Sequence, residues 1–257
     1  MARRSSQSEN GPMTTMDTDT LNADAPVKPH QGLNRLVWMS VIALMLVLLW
    51  DATGWDTAVM HRIAGPEGFA LKSNWWLQTV LHDTAKKISV LAYLLLCLMV
   101  FWPMGPFRES TRRQRLAVLA GITLSLLAVS MIKHASLTSC PWSLQEFGGT
   151  ARYVSHWSFG QTDGGGGQCF PGGHASAAFA FWSVCLPGLL SAQSHRQRRG
   201  RWLFALVLAS GVLFGLAQTL RGAHFPSHTL WTALICWAVG LATYLLLHRD
   251  RTPANAD

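Results

Sequence analysis

The sequence has few charged residues and no nucleotide-binding loop. Only 13% of its 257 residues are charged, whereas 49% are hydrophobic and twelve are tryptophan. A soluble protein of this composition has too little polar surface to cover its apolar segments, which argues for a membrane protein. The glycine run 164–167 lacks a following Gly-Lys-Ser or Gly-Lys-Thr, so it indicates a hinge or a disordered tip rather than a P-loop.

The start of the chain lacks the apolar core of a cleavable signal peptide. Residues 1–34 are polar and predict a disordered cytoplasmic tail, and residues 249–257 predict a second one. We therefore expect the first apolar segment to be an uncleaved anchor. Because no repeat or long linker divides the rest, residues 35–248 are expected to form one membrane domain.

Six apolar segments predict an all-α membrane protein with six transmembrane helices. They are Leu36–Trp50, Ile88–Trp102, Leu116–Ile132, His174–Leu190, Trp202–Leu220 and Thr229–Leu247. The first two are shorter than the roughly 20 residues that cross a ~30 Å hydrocarbon core, so flanking residues should extend them. Because proline disfavours helical geometry in the residue before it, the fifth helix should end near Gly222 and the sixth should begin around Pro226.

Arginine is concentrated in two short loops, 105–115 and 191–201, and is rare in the loop 134–173. Since cytoplasmic loops carry an excess of Lys and Arg, the first two loops should be cytoplasmic and the third should lie outside. Six spans then return both termini to the cytoplasm. The net charge of +8 thus reflects membrane topology and contact with membrane lipids, and it does not indicate a nucleic-acid partner.

The five cysteines divide by location. Cys97, Cys185 and Cys236 fall within apolar segments, where cysteine is most simply a small buried side chain. Cys140 and Cys169 fall in the outer loop, where an oxidising periplasm permits a disulfide. The alternative is a pair of unpaired thiols.

Cations, glycines and histidines cluster at the predicted outer ends of the helices. They are Lys133, Gly172, Gly173, His174, Arg221, His224 and His228. A reacting phosphate ester needs cations and backbone donors for its oxygens, a nucleophile and an acid for the leaving group. Each group also has a simpler interpretation, since a terminal lysine can extend to lipid headgroups and a histidine can sit passively at the membrane interface.

Three histidines are also potential metal ligands. We expect no metal and no other cofactor here, because Lys133 and Arg221 would repel a metal cation and would suit an oxyanion.

In order and spacing, these residues resemble the motifs of the type 2 phosphatidic acid phosphatase (PAP2) superfamily, and specifically its bacterial integral-membrane lipid phosphatases. The family motifs are Lys-x6-Arg-Pro, Pro-Ser-Gly-His and Ser-Arg-x5-His-x3-Asp. The corresponding residues here are Lys133 with Cys140-Pro141, then Pro171 to His174, then Ala217-Gln218 with His224 and His228. The resemblance covers about Ile88 to Leu247 and implies a six-span helical bundle with an active site on the outer face.

The chain departs from these motifs at three positions. Cys140 and Gln218 replace the two motif arginines, and His228 replaces the aspartate. Arg221 follows Gln218 by about one helical turn, and we hypothesise that it returns one guanidinium to the same pocket. Asp83, Glu146 and Asp163 are candidates for the missing carboxylate, and the sequence does not choose among them.

The resemblance also implies roles for individual residues. His224 would attack phosphorus to give a phosphohistidine, and His174 would protonate the departing oxygen and later activate water. His228 is hypothesised to hydrogen-bond His224 and fix its tautomer. The groups implied to hold the phosphoryl oxygens are Lys133, Gln218, Arg221 and the Gly172 and Gly173 amides. A register with Arg221 as the motif arginine and His228 as the nucleophile fits less well, because six residues then separate the pair instead of five.

The expected function is a membrane phosphatase that hydrolyses a lipid phosphate or lipid diphosphate at the periplasmic face of a bacterial inner membrane. The alternatives are a lipid-to-lipid phosphotransferase, which shares the phosphohistidine step, and a non-catalytic relative that binds or transports lipid phosphate. The oligomeric state is not predicted.

Overall fold

A computed structural model describes residues 29–248, with side chains described except at 29–31 and 81–82. The helices are α1 (Pro29–Thr53), α2 (Trp55–Ile63), α3 (Ala85–Phe101), α4 (Arg112–Ala135), α5 (Gly173–Phe179), α6 (Leu186–Leu189), α7 (Ser194–Leu220) and α8 (Pro226–His248). A π-helical segment, Trp76–Thr84, leads into α3, and a 3-10 segment, Ala180–Cys185, joins α5 to α6. The described part of the chain contains no β-strand, so the all-α prediction is confirmed.

Five helical stretches are long and apolar enough to cross a membrane, which makes the chain a multi-pass membrane protein. They are Gly32–Thr53, Trp76–Phe107, Arg112–Ala135, Ser194–Leu220 and Pro226–His248. The two segments that looked short in the sequence extend into their flanking residues, as expected. The break between α7 and α8 also matches the prediction, since α8 begins at Pro226.

The predicted fourth span, His174–Leu190, is helical but irregular. The α-helix changes to 3-10 helix between Ala180 and Cys185. Pro187 has no N–H to donate to the carbonyl of Ser183, and the amide of Leu186 donates to that carbonyl instead. Most of this stretch is buried against other helices. A sixth span therefore stays a prediction.

The N-terminal boundary differs from the prediction. Helix α1 begins at Pro29, so residues 29–34 are helical rather than part of a disordered tail. Proline is well suited to the first helical turn, where its missing N–H is not needed. The rest of the predicted tails, residues 1–28 and 249–257, lies outside the described residues.

The core forms where α4 runs along α8 and the helical stretch 173–189 crosses both. Gly121 and Gly240 permit this approach, because an added Cβ would lie 2.4 Å and 2.6 Å from Oγ of Ser183. Large buried side chains such as Trp182 and Tyr244 fill the remaining space. This packing brings the end of α4, the start of α5, the end of α7 and the start of α8 together.

At the other end of the bundle, Glu109 joins the two arginine-rich loops. Its carboxylate lies 2.9 Å from Nε2 of His195 and accepts a hydrogen bond of 3.2 Å from Arg199. The loops therefore lie on one side of the bundle, which the predicted topology requires.

Candidate active site

The buried His224 and the partly buried His174 meet where α5 begins and α7 gives way to α8. Nε2 of His224 lies 3.1 Å from Nδ1 of His174. Burial, followed by the nearby positive charges of His228, His174 and Lys133, holds the pKa of His224 well below its ordinary value. His224 is therefore neutral near pH 7, as a nitrogen nucleophile must be.

A glycine turn ends α7 and positions His224. Gly222 adopts the left-handed conformation with φ 73°. The amides of Gly222 and Ala223 then donate to the carbonyls of Thr219 and Gln218, which is the Schellman pattern of helix termination. An added Cβ at Gly222 would also lie 2.2 Å from the ring of Phe69, so this position requires glycine on two grounds.

Asp56 fixes the start of α8. Its carboxylate accepts hydrogen bonds from the backbone N–H of Ser227 at 3.0 Å, from the hydroxyl of Ser227 and from Nε1 of Trp50 at 2.8 Å. A carboxylate in this position also interacts favourably with the helix dipole. His224 is thus held between a terminated helix and a capped one.

The turn before α5 is tied to α8 through its backbone. The N–H of Gly172 donates to the carbonyl of His228 at 3.0 Å, and the hydroxyl of Thr232 donates to the carbonyl of Gly172 at 3.1 Å. The predicted role of the Gly172 amide in phosphate binding is therefore wrong for this structure, because that amide already has an acceptor. Gly173 lies against Lys133, whose Cδ would be 3.3 Å from an added Cβ.

A cavity of about 440 Å³ opens beside His174, between α3, α4, α5 and α7. Its polar lining includes four of the predicted site residues, Lys133, Gly173, His174 and Gln218. The apolar lining is formed by Val90, Leu126, Phe181, Phe214 and neighbouring alanines. The cavity therefore has a polar end beside the histidine pair and a larger apolar part between the helices.

Arg221 acts on the cavity through Gln218. Nη1 of Arg221 donates to Oε1 of Gln218 at 3.2 Å, and Nε donates to the carbonyl of Lys72 at 3.1 Å. Because the side-chain oxygen of Gln218 accepts from Arg221, its NH2 group is the part left to donate into the cavity. Arg221 is buried but does not itself line the cavity.

His228 is packed among aromatic rings and is 1% exposed. Its ring centroid lies 5.3 Å from those of Phe170 and Phe225 and 6.1 Å from that of His156. Within residues 29–248, Nδ1 of His228 has no hydrogen-bond partner, and His228 makes no hydrogen bond with His224. The hypothesised role of His228 in fixing the tautomer of His224 is therefore wrong.

A disulfide lies next to His224 instead. Cys140 and Cys169 are bonded, and Sγ of Cys169 lies 3.3 Å from Nδ1 of His224. Although these three side chains cluster as metal ligands do, disulfide sulfurs are not thiolates, so the cluster does not suit a metal ion.

Two candidate carboxylates are engaged elsewhere. Oε2 of Glu146 lies 3.0 Å from Nε2 of His61. Asp163 is buried and accepts hydrogen bonds from the backbone and hydroxyl of Ser139 and from the amide of Gly165. Asp163 therefore holds the glycine run 164–167 against the base of the outer loop, and neither carboxylate contacts His224.

The sequence reasoning missed three residues of α3 that line the cavity. Lys86, Ser89 and Tyr93 share one helical face, with Ser89 donating to the carbonyl of Ala177 and Tyr93 hydrogen-bonded to Thr123. The signal was present in the sequence, because polar residues recur there at helical spacing within an otherwise apolar span.

Comparison with known families supports what the site geometry indicates. The family model described as the PAP2 superfamily matches residues 114–252, which is more than half of the chain. Searches of curated proteins and of solved structures gave no significant match. The chain belongs to the PAP2 superfamily, whose members are phosphatases, and it is thus a phosphoric-ester hydrolase.

Proposed function

We propose that the protein hydrolyses a lipid phosphate or lipid diphosphate at the periplasmic face of a bacterial inner membrane, through a phosphohistidine intermediate. The observation that carries this proposal is the composition of the cavity wall. Lys133, His174 and Gln218 line its polar end, and apolar side chains line most of the rest.

The apolar lining favours a lipid over a water-soluble phosphate ester. Leu126, Phe181 and Phe214 would contact an apolar chain attached to the phosphate, and burial of such a chain stabilises the complex. Val90 lines the cavity and is also 52% exposed on the outside of the bundle. The cavity therefore reaches the surface that would face lipid, and a substrate tail has a route in from the membrane.

The first chemical step uses the histidine pair. The phosphoryl group enters between the two rings, with its oxygens near Lys133 and the Gln218 amide. Nε2 of His224 attacks phosphorus, the bond from phosphorus to the lipid oxygen breaks, and Nδ1 of His174 gives its proton to that oxygen. The two nitrogens lie 3.1 Å apart, so the rings must move apart to admit the phosphoryl group in line between them.

The second step returns the enzyme to its starting state. Nδ1 of His174 now accepts a proton from water, whose oxygen attacks the phosphorus of the phosphohistidine. The bond between phosphorus and Nε2 breaks, and inorganic phosphate leaves with both histidines in their original protonation states.

The proposed orientation rests on the separation of charge along the bundle. The arginine-rich loops are joined by Glu109 at one end, whereas the disulfide and the histidine pair lie at the other. The disulfide suits an oxidising compartment, and the positive loops suit the cytoplasm. Both termini would then be cytoplasmic. A Phe159→Cys variant, altered at an 83% exposed position of the outer loop, should react with an impermeant maleimide in intact cells; reaction only after permeabilisation would contradict this orientation.

The proposal is tested by phosphate release from a panel of esters in detergent micelles. The panel pairs lipid phosphates and lipid diphosphates with a water-soluble phosphomonoester, and each is incubated with the wild type and with His224→Gln. We expect wild-type release from at least one lipid, with a far lower kcat/KM for the soluble ester. Higher activity on the soluble ester would overturn the lipid assignment. An acceptor lipid in a parallel reaction separates transfer from hydrolysis, since transfer labels the acceptor instead of releasing phosphate.

A further inference from the structure

The disulfide touches the nucleophilic histidine directly. Sγ of Cys169 lies 3.3 Å from Nδ1 of His224 and 3.0 Å from the carbonyl oxygen of Ala223 in the same loop. The sulfur of Cys140 is within 4.8 Å of a ring nitrogen of the same histidine. A disulfide sulfur carries no hydrogen, so Nδ1 of His224 is the donor in this contact.

This contact decides which nitrogen of His224 is the nucleophile. A neutral imidazole has one N–H, and with that hydrogen on Nδ1 the lone pair is left on Nε2. Nε2 faces Nδ1 of His174, so the hydrogen in that 3.1 Å contact belongs to His174. The lone pair of the nucleophile therefore accepts a hydrogen bond from the acid, and it becomes available when that hydrogen turns to the leaving oxygen in the proposed first step.

Cys169 contacts the His224 ring through its sulfur and also through a backbone hydrogen bond, so the disulfide holds both groups in place. His228 makes no hydrogen bond to His224, and Glu146 and Asp163 are held by His61 and Ser139. We propose that the Cys140–Cys169 disulfide is the positioning group of His224 and that reducing it suppresses the phosphatase. The inference rests on the proposed function and adds a redox dependence to it.

The effect of reduction follows from the loss of a fixed acceptor. A dithiol reductant breaks the S–S bond, is itself oxidised to a cyclic disulfide, and leaves a thiol on each cysteine. Cys169 is then no longer held against the loop, and its thiol sulfur is only a weak acceptor for Nδ1 of His224. The tautomer with its hydrogen on Nε2 becomes accessible, and that hydrogen occupies the nucleophilic position.

Two double variants separate positioning from mere bracing of the loops. Cys140→Ala with Cys169→Ser lacks the disulfide but keeps an acceptor oxygen opposite Nδ1, whereas Cys140→Ala with Cys169→Ala lacks both. We expect equal melting temperatures, similar KM values and a kcat about five- to tenfold higher for the serine variant, as one neutral hydrogen bond allows. Equal kcat values would show that the disulfide only braces the loops and would overturn the proposal.

Reductant provides the matching test on the wild type. A dithiol should lower wild-type kcat and reoxidation should restore it, while the serine variant should not respond. Unchanged wild-type kcat after complete reduction, verified by thiol counting, would contradict the proposal.

A spectroscopic readout keeps this inference separate from the proposed function. In protein labelled with 15N-histidine, the oxidised form should show His224 with its hydrogen on Nδ1, and His224→Gln assigns the signal. A hydrogen on Nε2 in the oxidised protein would overturn the inference whether or not any lipid is hydrolysed. Absence of hydrolysis with a hydrogen on Nδ1 would instead remove the proposed function alone.

Discussion

Two clusters of polar groups near the start of α8 use their hydrogen-bonding groups differently. In one cluster, Lys133, His174 and Gln218 line the cavity, where Gln218 keeps an NH2 group to donate. In the other cluster, the carboxylates of Asp51 and Asp56 accept hydrogen bonds from neighbouring helices and loops. The first cluster can still donate hydrogen bonds to a bound anion, whereas the carboxylates of the second accept hydrogen bonds from the protein itself.

The second cluster is an aromatic and carboxylate brace. One oxygen of Asp51 accepts from Nε1 of Trp157 at 2.9 Å and of Trp231 at 2.8 Å, and lies 3.2 Å from Nε2 of His156. His156 stacks on Phe170 with ring centroids 4.2 Å apart. Through these contacts, the end of α1 is joined to the outer loop and to α8.

Residue type and burial alone do not distinguish the site from the brace. Both clusters contain buried histidines, and the brace has more carboxylates. What distinguishes the site is that Lys133, His174 and Gln218 line a cavity, into which the NH2 group of Gln218 is left to donate. His228 belongs with the brace, because its ring packs against His156 and Phe170, whereas His224 contacts the cavity residue His174.

The largest expected effect on kcat comes from substituting each of the two motif histidines, His224 and His228, separately. His224→Gln should lower kcat by roughly a thousandfold or more, because it removes the nucleophile. His228→Gln should keep kcat within about tenfold of wild type and mainly lower the melting temperature, because it disturbs packed rings. Phosphate release and thermal unfolding of both variants check this. A larger loss of kcat in His228→Gln would show that His228 belongs to the site and not to the brace.

The next effect concerns the brace itself. Asp56→Ala leaves the amide of Ser227 and the indole of Trp50 without their acceptor, which should lower the free energy of unfolding by about 2–4 kcal/mol. Activity per folded molecule should remain. Thermal unfolding in detergent measures the first quantity, with the exposed Glu67→Ala as the control. Loss of kcat without loss of stability would place Asp56 in the site.

A smaller effect separates the two ends of the cavity. Leu126→Trp should obstruct its apolar part and raise KM for long-tailed lipid phosphates by about tenfold, within the range that changes in a hydrophobic pocket produce. A short-chain substrate should be less affected. Leu127 is the adjacent residue on α4 and does not line the cavity, so Leu127→Trp is the matched control. Equal KM changes in both variants would argue against this tail site.

The smallest effect is a pH dependence of stability that both clusters share. Burial lowers the pKa of His224 and, against the opposing charge of Asp51, the pKa of His156. Below about pH 6.5 these histidines bind protons in the unfolded protein but stay neutral in the folded one. The free energy of unfolding therefore falls as the pH falls from that value towards the folded pKa values. Melting temperatures between pH 7.5 and 5.5 should show this slope, and His224→Gln should reduce it. A slope that is unchanged in His224→Gln would contradict the assigned burial effect.

The sequence predicted the features that depend on local pattern. Apolar length located five helices, and the proline at 226 located the break before α8. Motif spacing also selected His174 and His224, which do meet in the structure. Pro187 carried a signal for the irregular fourth helix, because a proline removes a backbone donor wherever it stands.

The remaining features depend on tertiary contacts between distant segments. The Gly172 amide was expected to bind phosphate, but it donates its hydrogen bond to the carbonyl of His228 in α8. His228 stands where the family motif has aspartate, yet rings from separate segments enclose it. The contact of Cys169 with His224 joins residues from two loops and follows from neither motif alone.

The most direct test of the account is to look for phosphate on His224 during turnover. The wild type is mixed with a radiolabelled lipid phosphate, quenched in base within milliseconds to seconds, digested and mapped. The account predicts an acid-labile, base-stable label on the peptide that contains His224, and no label in His224→Gln. Release of phosphate without such a label, at a rate that His224→Gln retains, would contradict it.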